Sequence, residues 1–370
     1  MSSNINYNKR VLNFGAGPAK LPLEVSLTDL FFEFFVLRII RKPQTLRNFF
    51  DNVLKMLIII YLFYFRYVPD NYKILLMQGG GTGAFASVAL NLMGRSGKAD
   101  YLVTGIWSGK ASKEAAKFGK VNLVAPKSTK PGTAPHPSTW KLDPEASYFY
   151  YCHNETVDGI TIQNIRQTGN VPIVCDMSSS LMTQRVDISK YGIIFGGTQK
   201  NLGPSGVTIV IVREDLMGNP LPCCPTILDY GHVSDMNSIH NTPTTFSVYV
   251  MEKVLQWVKK NGGVEEMERR AIAKSQLLYN TIHNSNKFYS SPVDEEIRSR
   301  INIPFRVGGP NGDEKLEKLF LQGAEKLEMY QLKGHRLVGG MRASLYNAVT
   351  YEEVELLVNY MNAFQKQHSL

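Results

Sequence analysis

From Tyr72 to about Val212, short apolar runs alternate with helix-like or loop-like stretches, and this alternation constrains the fold more than any other feature of the sequence. The apolar runs are Lys73–Met77, Tyr101–Val103, Val121–Val124, Ser147–Cys152, Val171–Cys175, Tyr191–Phe195 and Val207–Val212. Several are almost continuously apolar, which is typical of strands buried on both faces of a sheet. Ala84–Met93 and Ser108–Phe118 have the pattern of helices, and the second begins at a serine that can cap it. Alternating strands and helices predict a mostly parallel α/β sheet.

After Thr245 the sequence changes to long amphipathic segments. Helices are predicted over Phe246–Lys260, Val264–Asn284, Asp313–Leu327 and Thr350–Gln365, and a strand over Ile301–Val307. The run Asn261-Gly262-Gly263 ends the first of these helices. We therefore predict a large domain over residues 1–257, with an N-terminal arm over about residues 1–20, and a smaller α+β domain over residues 258–370.

The composition is that of a folded protein that binds acidic partners. The chain has 370 residues, of which 44% are hydrophobic and 20% are charged, and this excludes an intrinsically disordered chain. Lys and Arg number 41 against 32 Asp and Glu, so the formal net charge is +9. Such a charge favours nucleic acid or small substrates rich in carboxylate or phosphate. The basic residues are scattered without an aromatic–basic RNA motif, which disfavours nucleic acid.

The cysteines indicate a reducing compartment. Cys152, Cys175, Cys223 and Cys224 form no C-x-x-C pair, and four cysteines are too few for a disulfide framework. The first ten residues are polar and lack the apolar segment of a secretory signal. We therefore expect a cytoplasmic protein.

One stretch, Leu30–Tyr67, does not fit the α/β pattern because it is unusually rich in Phe, Ile and Tyr. Its longest uncharged run, Met56–Phe65, is far shorter than the roughly 20 residues that span a bilayer, so a transmembrane hairpin is not expected. We interpret Asn48–Tyr67 as a buried or interface helix.

The run Gln78-Gly79-Gly80-Gly81-Thr82-Gly83 follows a predicted strand and opens a helix. Glycines let the backbone approach an anion closely, and free N–H groups face it at the helix start, so the run predicts a phosphate cup. It matches neither a P-loop nor the G-x-G-x-x-G fingerprint of dinucleotide sites. A simple tight turn is the alternative interpretation.

Lys200 lies in a run of small residues between two predicted strands, Tyr191–Phe195 and Val207–Val212. An amine confined between buried strands has a lowered pKa and becomes nucleophilic, as Schiff-base chemistry requires. The alternative is an exposed loop lysine.

Two further side chains follow predicted strands. Asp176 ends the run Val171–Cys175, at the edge where α/β ligand sites form, and could pair with a protonated ring nitrogen. A helix N-cap is its alternative role. Trp107 ends another predicted strand and could stack on a planar ring, with core packing as the alternative.

Together these side chains match the requirements of pyridoxal 5′-phosphate. A lysine holds its aldehyde, an aspartate keeps its ring nitrogen protonated, an aromatic side chain stacks on the ring and the glycine turn takes the phosphate. No metal site is expected.

The sequence resembles the phosphoserine aminotransferases, which are fold-type I pyridoxal-phosphate enzymes. The similarity begins in the segment from Val11 to Pro22, which reads VLNFGAGPAKLP, resumes at Val68 and runs to the C-terminus. The resemblance implies an α/β fold with a mostly parallel central sheet and a smaller C-terminal α+β domain. It also implies a homodimer that interconverts O-phospho-L-serine and 3-phosphohydroxypyruvate, with 2-oxoglutarate and glutamate as the second pair, in serine biosynthesis.

The resemblance also implies roles for individual residues. Lys200 would hold the cofactor aldehyde and shuttle the substrate proton, and Asp176 would partner the ring nitrogen. The cofactor-binding residues would be Gly81, Thr82, Trp107, Thr156, Asp176, Gln199 and Lys200, together with Asn241 and Thr242, which would reach the phosphate in the neighbouring subunit. The substrate-binding residues would be His335, Arg336 and Arg342. A planar guanidinium matches a carboxylate or phosphate bidentately, and the glycines around these residues favour a cationic pocket. A solvated basic face is the alternative interpretation.

One departure from the family falls within the stretch Leu30–Tyr67. The family has a Ser-His-Arg-Ser segment there whose His and Arg reach the substrate phosphate across the dimer, whereas residues 41–48 here read RKPQTLRN. Its loss would weaken binding of the phosphorylated substrate. A translated intron or a gene-model error is the other interpretation of the stretch. A catalytically impaired cofactor-binding dimer, an alanine–glyoxylate-like transaminase and a desulfurase remain as alternative functions.

Overall fold

The structure is a computed structural model that describes residues 11–27, 69–126, 128 and 130–369. The interpretation of Asn48–Tyr67 as a buried or interface helix lies outside the described residues, as does the departure at residues 41–48. No helix within the described ranges is long and apolar enough to cross a membrane.

The described residues form strands and helices in alternation. The strands are β1 Leu12–Asn13, β2 Tyr72–Met77, β3 Lys98–Tyr101, β4 Lys120–Leu123, β5 Phe149–Cys152, β6 Asn154–Glu155, β7 Ile160–Thr161, β8 Ile173–Asp176, β9 Ile193–Gly197, β10 Thr208–Arg213, β11 Tyr289–Ser290, β12 Asn302–Val307, β13 Met329–Tyr330 and β14 Met341–Ser344. The α-helices are α1 Leu23–Leu27, α2 Gly80–Leu92, α3 Ile106–Ala115, α4 Tyr230–Asp235, α5 Thr245–Lys260, α6 Gly263–His283, α7 Glu314–Lys326 and α8 Tyr351–His368.

A seven-stranded sheet in the order β2-β10-β9-β8-β5-β3-β4 forms the centre of the molecule. Strand β10 pairs antiparallel with both β2 and β9, and the other four pairs are parallel. Alternate side chains of these strands enter two separate hydrophobic clusters, one on each face, because both faces are covered. The predicted mostly parallel α/β sheet is therefore confirmed.

Two helix starts and one strand differ from the prediction. Helix α2 begins at Gly80, inside the glycine run, whereas Ala84 was the predicted start. Helix α3 begins at Ile106 with Gly105 as its N-cap, so Ser108 does not start the helix, although its Oγ caps the start by accepting a 3.1 Å hydrogen bond from Gly105 N. The neighbouring strand β3 ends at Tyr101, and Trp107 therefore lies in the first turn of α3 and does not end a strand.

The C-terminal part contains a three-stranded antiparallel sheet, β11-β12-β14, packed with α6, α7 and α8 around a third hydrophobic cluster. The predicted helices and the strand of this part are present, with ends that differ from the prediction by at most three residues. Helix α5 continues across the predicted domain boundary at residues 257 and 258. The two-domain division stays a prediction.

Candidate active site

The functional side chains predicted from strand ends collect at one edge of the central sheet. Strands β3, β5, β8 and β9 run parallel, so their carboxyl ends meet at the same edge. Thr156 follows β5, Asp176 ends β8, and Lys200 follows β9. Parallel sheets form their ligand sites at this edge because the loops that leave it converge there.

Lys200 lies at the centre of this edge. Its Nζ donates a 2.6 Å hydrogen bond to Thr156 Oγ1 and lies 5.9 Å from the centre of the Trp107 ring. The side chain is only partly accessible, and loss of solvation lowers the pKa of the Lys200 amine despite the opposing effect of Asp176. An amine with a lowered pKa is a better nucleophile and a better proton acceptor at neutral pH.

The N-terminal segment crosses the loop that carries Lys200. Ala19 N donates a 2.8 Å hydrogen bond to Gln199 O. A Cβ at Gly17 would lie 3.4 Å from Lys200 Cγ, and Gly17 has φ +119°, which is accessible to glycine but strained for other residues. The segment therefore closes one side of the site against the aliphatic part of Lys200.

Asp176 is a buried carboxylate, 5% exposed, at the end of β8. Its Oδ1 accepts a 2.8 Å hydrogen bond from Ser178 N, but residues 177–183 form turns, so the alternative role as a helix N-cap is wrong. Burial raises the pKa of Asp176, whereas the hydrogen bonds from Ser178 lower it. A cation facing this carboxylate would favour its charged form.

Trp107 is held by the N-terminus of α3, which is fixed in turn by two carboxylates. Glu155, 0% exposed, accepts hydrogen bonds from Trp107 N at 3.0 Å and from Ser108 N at 2.8 Å. Asp158 Oδ2 accepts one from Ile106 N at 3.0 Å. Anions are stabilised at a helix N-terminus, but burial first and Asp158 second raise the pKa of Glu155 to about 7. A side chain at Gly105 would clash with both carboxylates.

The predicted phosphate cup is the turn that starts α2. Gly79 and Gly80 have φ of +103° and +61°, so the backbone here uses the conformation that favours glycine. A Cβ at Gly80 would have no atom within 4 Å, and one at Gly81 would lie 3.8 Å from Ser178 Oγ. The first N–H groups of a helix have no acceptor within it. Gly81 and Thr82 are thus placed at a glycine-lined helix start with open space beside it.

Asn241 and Thr242 are exposed in the single chain and lie near the start of this turn. Gln78 Nε2 donates a 3.1 Å hydrogen bond to Thr242 O. Their expected reach to a neighbouring subunit stays a prediction.

The predicted substrate residues differ in burial. Arg342, on β14, is 9% exposed, and its Nε and Nη1 are buried without a hydrogen-bond partner in the described part of the chain. Loss of solvation, followed by the charges of Arg342 and Arg336, lowers the pKa of His335. His335 Nδ1 accepts a 3.2 Å hydrogen bond from Leu337 N. A neutral ring therefore carries its proton on Nε2, which can donate a hydrogen bond. Arg336 is exposed.

The structure thus brings Lys200, Thr156, Asp176 and Trp107 together, and Arg342 is close enough to lower the pKa of Lys200. No role was predicted from the sequence for Glu155 or Ser178. The signal for both was present, because each is a polar residue two or three positions after the end of a buried strand.

These residues fit pyridoxal phosphate. The site offers a partly accessible amine, a buried carboxylate, an indole ring whose Nε1 has no partner among the described residues, and an open glycine turn at a helix start. Each is the group that one part of the cofactor requires.

Comparisons with known proteins match nearly the whole chain. A model of the aminotransferase class-V family matches residues 64–357. Phosphoserine aminotransferase of Drosophila melanogaster is 50% identical over 367 residues, which cover 97% of this chain and 99% of the relative. The solved structure of phosphoserine aminotransferase from Bacillus circulans subsp. alkalophilus has a TM-score of 0.90 at 36% identity, covering 97% of this chain and 99% of that one. The pyridoxal-phosphate-bound phosphoserine aminotransferase of Trichomonas vaginalis has a TM-score of 0.88 at 33% identity, covering 95% and 100%.

Proposed function

The chain belongs to the class-V aminotransferases and, within them, to the phosphoserine aminotransferases, and we propose that it exchanges an amino group between O-phospho-L-serine and 2-oxoglutarate. The products are 3-phosphohydroxypyruvate and glutamate, in serine biosynthesis. The family, the fold type and the cofactor expected from the sequence motifs are confirmed: the protein is a pyridoxal-phosphate-dependent transaminase of fold type I.

The observation that carries the proposal is a partly accessible amine with a buried guanidinium nearby. The charge of Arg342 contributes to lowering the pKa of Lys200, and two nitrogen atoms of Arg342 have no partner within the described ranges. An amino acid substrate needs both groups, because its carboxylate requires a cation and its α-proton requires a base.

The residues at the cofactor end stabilise charge on the cofactor and transfer protons. Bound pyridoxal phosphate supplies an electron-withdrawing ring that stabilises negative charge at the substrate α-carbon. Lys200 would hold the cofactor aldehyde through its Nζ. Once the substrate amine has taken its place, that Nζ would accept the substrate α-proton and deliver it to the aldehyde carbon of the cofactor. Thr156 orients that Nζ, and Asp176 stabilises positive charge on the ring nitrogen. Trp107 covers the ring, while Gly81, Thr82 and Gln199 complete the pocket.

The residues at the substrate end bind anions. Arg342 binds the substrate carboxylate through its planar guanidinium. Two N–H groups at one side of a guanidinium match the two oxygen atoms of a carboxylate. His335 and the exposed Arg336 lie toward the outside and take the second anionic group, phosphate in one substrate and the distal carboxylate in the other. An alanine–glyoxylate-like transaminase or a desulfurase would have no use for this second anion site.

The proposal includes a cytoplasmic homodimer. Asn241 and Thr242 are exposed in the single chain beside the residue that precedes the glycine turn, which suits a role at the phosphate of a neighbouring subunit. Cysteines without a disulfide among the described residues suit a reducing compartment.

A coupled transaminase assay tests the function. The purified protein is incubated with pyridoxal phosphate and 2-oxoglutarate, with either phosphoserine or alanine as donor, and glutamate is measured. We expect turnover with phosphoserine and at least tenfold lower kcat/KM with alanine, the cost of one lost charge-assisted contact of about 1.5 kcal/mol. Equal rates would support an alanine–glyoxylate-like enzyme. A visible cofactor band without turnover would support the impaired dimer.

A further inference from the structure

A buried polar network joins the two sides of the site through two asparagine side chains. Asn154 Nδ2 donates a 2.8 Å hydrogen bond to Asn302 Oδ1, although the two residues lie 148 positions apart. Asn154 is 1% exposed and belongs to β6, on the large-domain side, while Asn302 is 0% exposed and begins β12. The contact therefore connects the part that carries Thr156 to the part that carries Arg342.

The side-chain amide of Asn154 is fully used. Asn154 Nδ2 also donates to Ser179 Oγ, and its Oδ1 accepts from Thr161 Oγ1 and Ser299 Oγ, at 2.6 to 2.8 Å. This uses both donors and both lone pairs of the Asn154 amide. Buried networks in which every group is satisfied are rigid, because any displacement leaves a desolvated polar group without a partner.

From Asn302 the network continues to the strand of Arg342. Asn302 Nδ2 donates to Ser344 Oγ at 3.0 Å and to Tyr346 OH at 3.3 Å. Asn302 pairs with Ser344 in the β12–β14 register, and Pro304 pairs with Arg342. Arg342 thus lies two residues from one end of the network.

At its other end, Asn154 lies two residues before Thr156, which accepts the hydrogen bond from Lys200. We propose that Asn154 and Asn302 are positioning residues that fix the separation between the Lys200 amine and the Arg342 guanidinium. This inference rests on the proposed function, because it takes Arg342 as the carboxylate-binding residue.

The physical reason is the geometry of the reaction. The carboxylate and the amine of an amino acid share one carbon atom, so their receptors must keep a fixed separation. Arg342 has two nitrogen atoms without a partner in the structure as described, so its own contacts fix it poorly. The Asn154–Asn302 network fixes its strand instead, and a displacement of about 1 Å at such a site is enough to cost about 10²-fold in rate.

The test measures anion binding and stability in the pyridoxal-phosphate-loaded enzyme. We compare Asn302→Ala and Ser344→Ala with the wild type by calorimetric titration of glutarate, an unreactive dicarboxylate, and by the KM of both substrates. We expect Asn302→Ala to raise the Kd of glutarate and both KM values roughly tenfold, as expected when one charge-assisted hydrogen bond is weakened, and to lower kcat by up to about 10²-fold through the altered separation. Ser344→Ala should act in the same direction to a smaller extent, and cofactor affinity should not change in either variant.

Ser285→Ala is the matched control. Ser285 is 1% exposed, lies in the same C-terminal part, and bonds through its hydroxyl to the backbone of Ile282 and Tyr289, away from the network. We expect it to lower the urea midpoint about as much as Ser344→Ala and to leave the Kd of glutarate unchanged. If Asn302→Ala does not fold, the two serine variants decide the matter.

Two outcomes would overturn the proposal: native glutarate affinity in Ser344→Ala and in any folded Asn302→Ala, or an equal loss of affinity in Ser285→Ala. Arg342→Lys separates the inference from the function on which it rests. If Arg342→Lys binds glutarate like the wild type, the role of Arg342 is wrong. If Arg342→Lys loses glutarate while the network variants keep it, only the positioning role is wrong.

Discussion

At the cofactor end of the site, Lys200, Asp176 and Glu155 each have hydrogen-bond partners, whereas at the substrate end Arg342 has two buried nitrogen atoms without one in the described ranges. Among the described residues the His335 ring accepts one hydrogen bond, from the backbone of Leu337, and Arg336 is exposed. The two ends come from different parts of the chain. The residues of the cofactor end lie at or after the ends of strands of the large sheet, and Arg342 of the substrate end lies on β14.

The difference indicates which interactions are formed by folding and which await a ligand. Groups that must be poised for proton transfer are oriented by the protein before any ligand binds, because reorganisation during the reaction would raise the barrier. A guanidinium that must bind two different anions keeps N–H groups that have no hydrogen-bond acceptor in the described part of the chain. Substitutions at the cofactor end should therefore affect turnover, and those at the substrate end should affect affinity.

The largest effect is expected at the cofactor end. Lys200→Ala removes the amine that accepts the substrate proton, so turnover should fall by about 10²–10⁴-fold, the usual contribution of a positioned base. The Kd of glutarate should stay unchanged, since Arg342 is intact. Lys190→Ala, at an exposed lysine paired with Asp187, is the control and should be fully active. Loss of glutarate binding in Lys200→Ala would contradict the division of the site into a cofactor end that affects turnover and a substrate end that affects affinity.

A smaller effect is expected at the substrate end. Arg342→Lys keeps the positive charge but loses the planar pair of donors, so kcat/KM should fall roughly ten- to hundredfold, equivalent to about 1.5–3 kcal/mol. Most of the change should appear in KM, measured for both substrates. Arg269→Lys, at an exposed arginine paired with Glu266, should match the wild type. A fall confined to kcat would place Arg342 with the catalytic residues.

The third effect concerns Glu155 and pH, and within a single pH unit it is the smallest of the three. Burial raises its pKa from 4.5 to about 7, so between these values the folded chain holds a proton that the unfolded chain has released. The contribution of Glu155 to the free energy of unfolding therefore decreases as pH rises from 4.5 to 7, by up to about 1.4 kcal/mol per pH unit. Urea unfolding at several pH values should show that the free energy of unfolding decreases less with pH in Glu155→Gln than in the wild type. Glu145→Gln, a change at an exposed residue, should keep the wild-type decrease. Identical slopes in Glu155→Gln and wild type would contradict the assignment.

Much of the fold follows from the sequence because buried strands are apolar over their whole length. The runs around Val174, Ile194 and Val210 identified three central strands, and from them the positions of Asp176 and Lys200 at strand ends. The start of α2 was missed because four glycines within Gly79–Gly83 have low helix propensity, and their role depends on backbone conformation.

The remaining features depend on contacts between distant residues. Glu155 fixes the helix of Trp107 from 48 positions away in the chain. The Asn154–Asn302 bond joins strands of different sheets, and both asparagines are polar residues whose partner the apolar pattern does not indicate. Hydrophobic periodicity indicates which residues are buried but not which buried polar groups form hydrogen bonds with each other. These contacts could therefore be identified only from the structure.

The central claim is that Lys200 holds the cofactor. Borohydride reduction of the pyridoxal-phosphate-loaded protein, followed by proteolysis and mass mapping, tests it directly. The account predicts the cofactor-derived mass on the peptide that contains Lys200 and its absence from the Lys200→Ala protein treated in the same way. A stoichiometric label on any other lysine, with Lys200 unmodified, would contradict it.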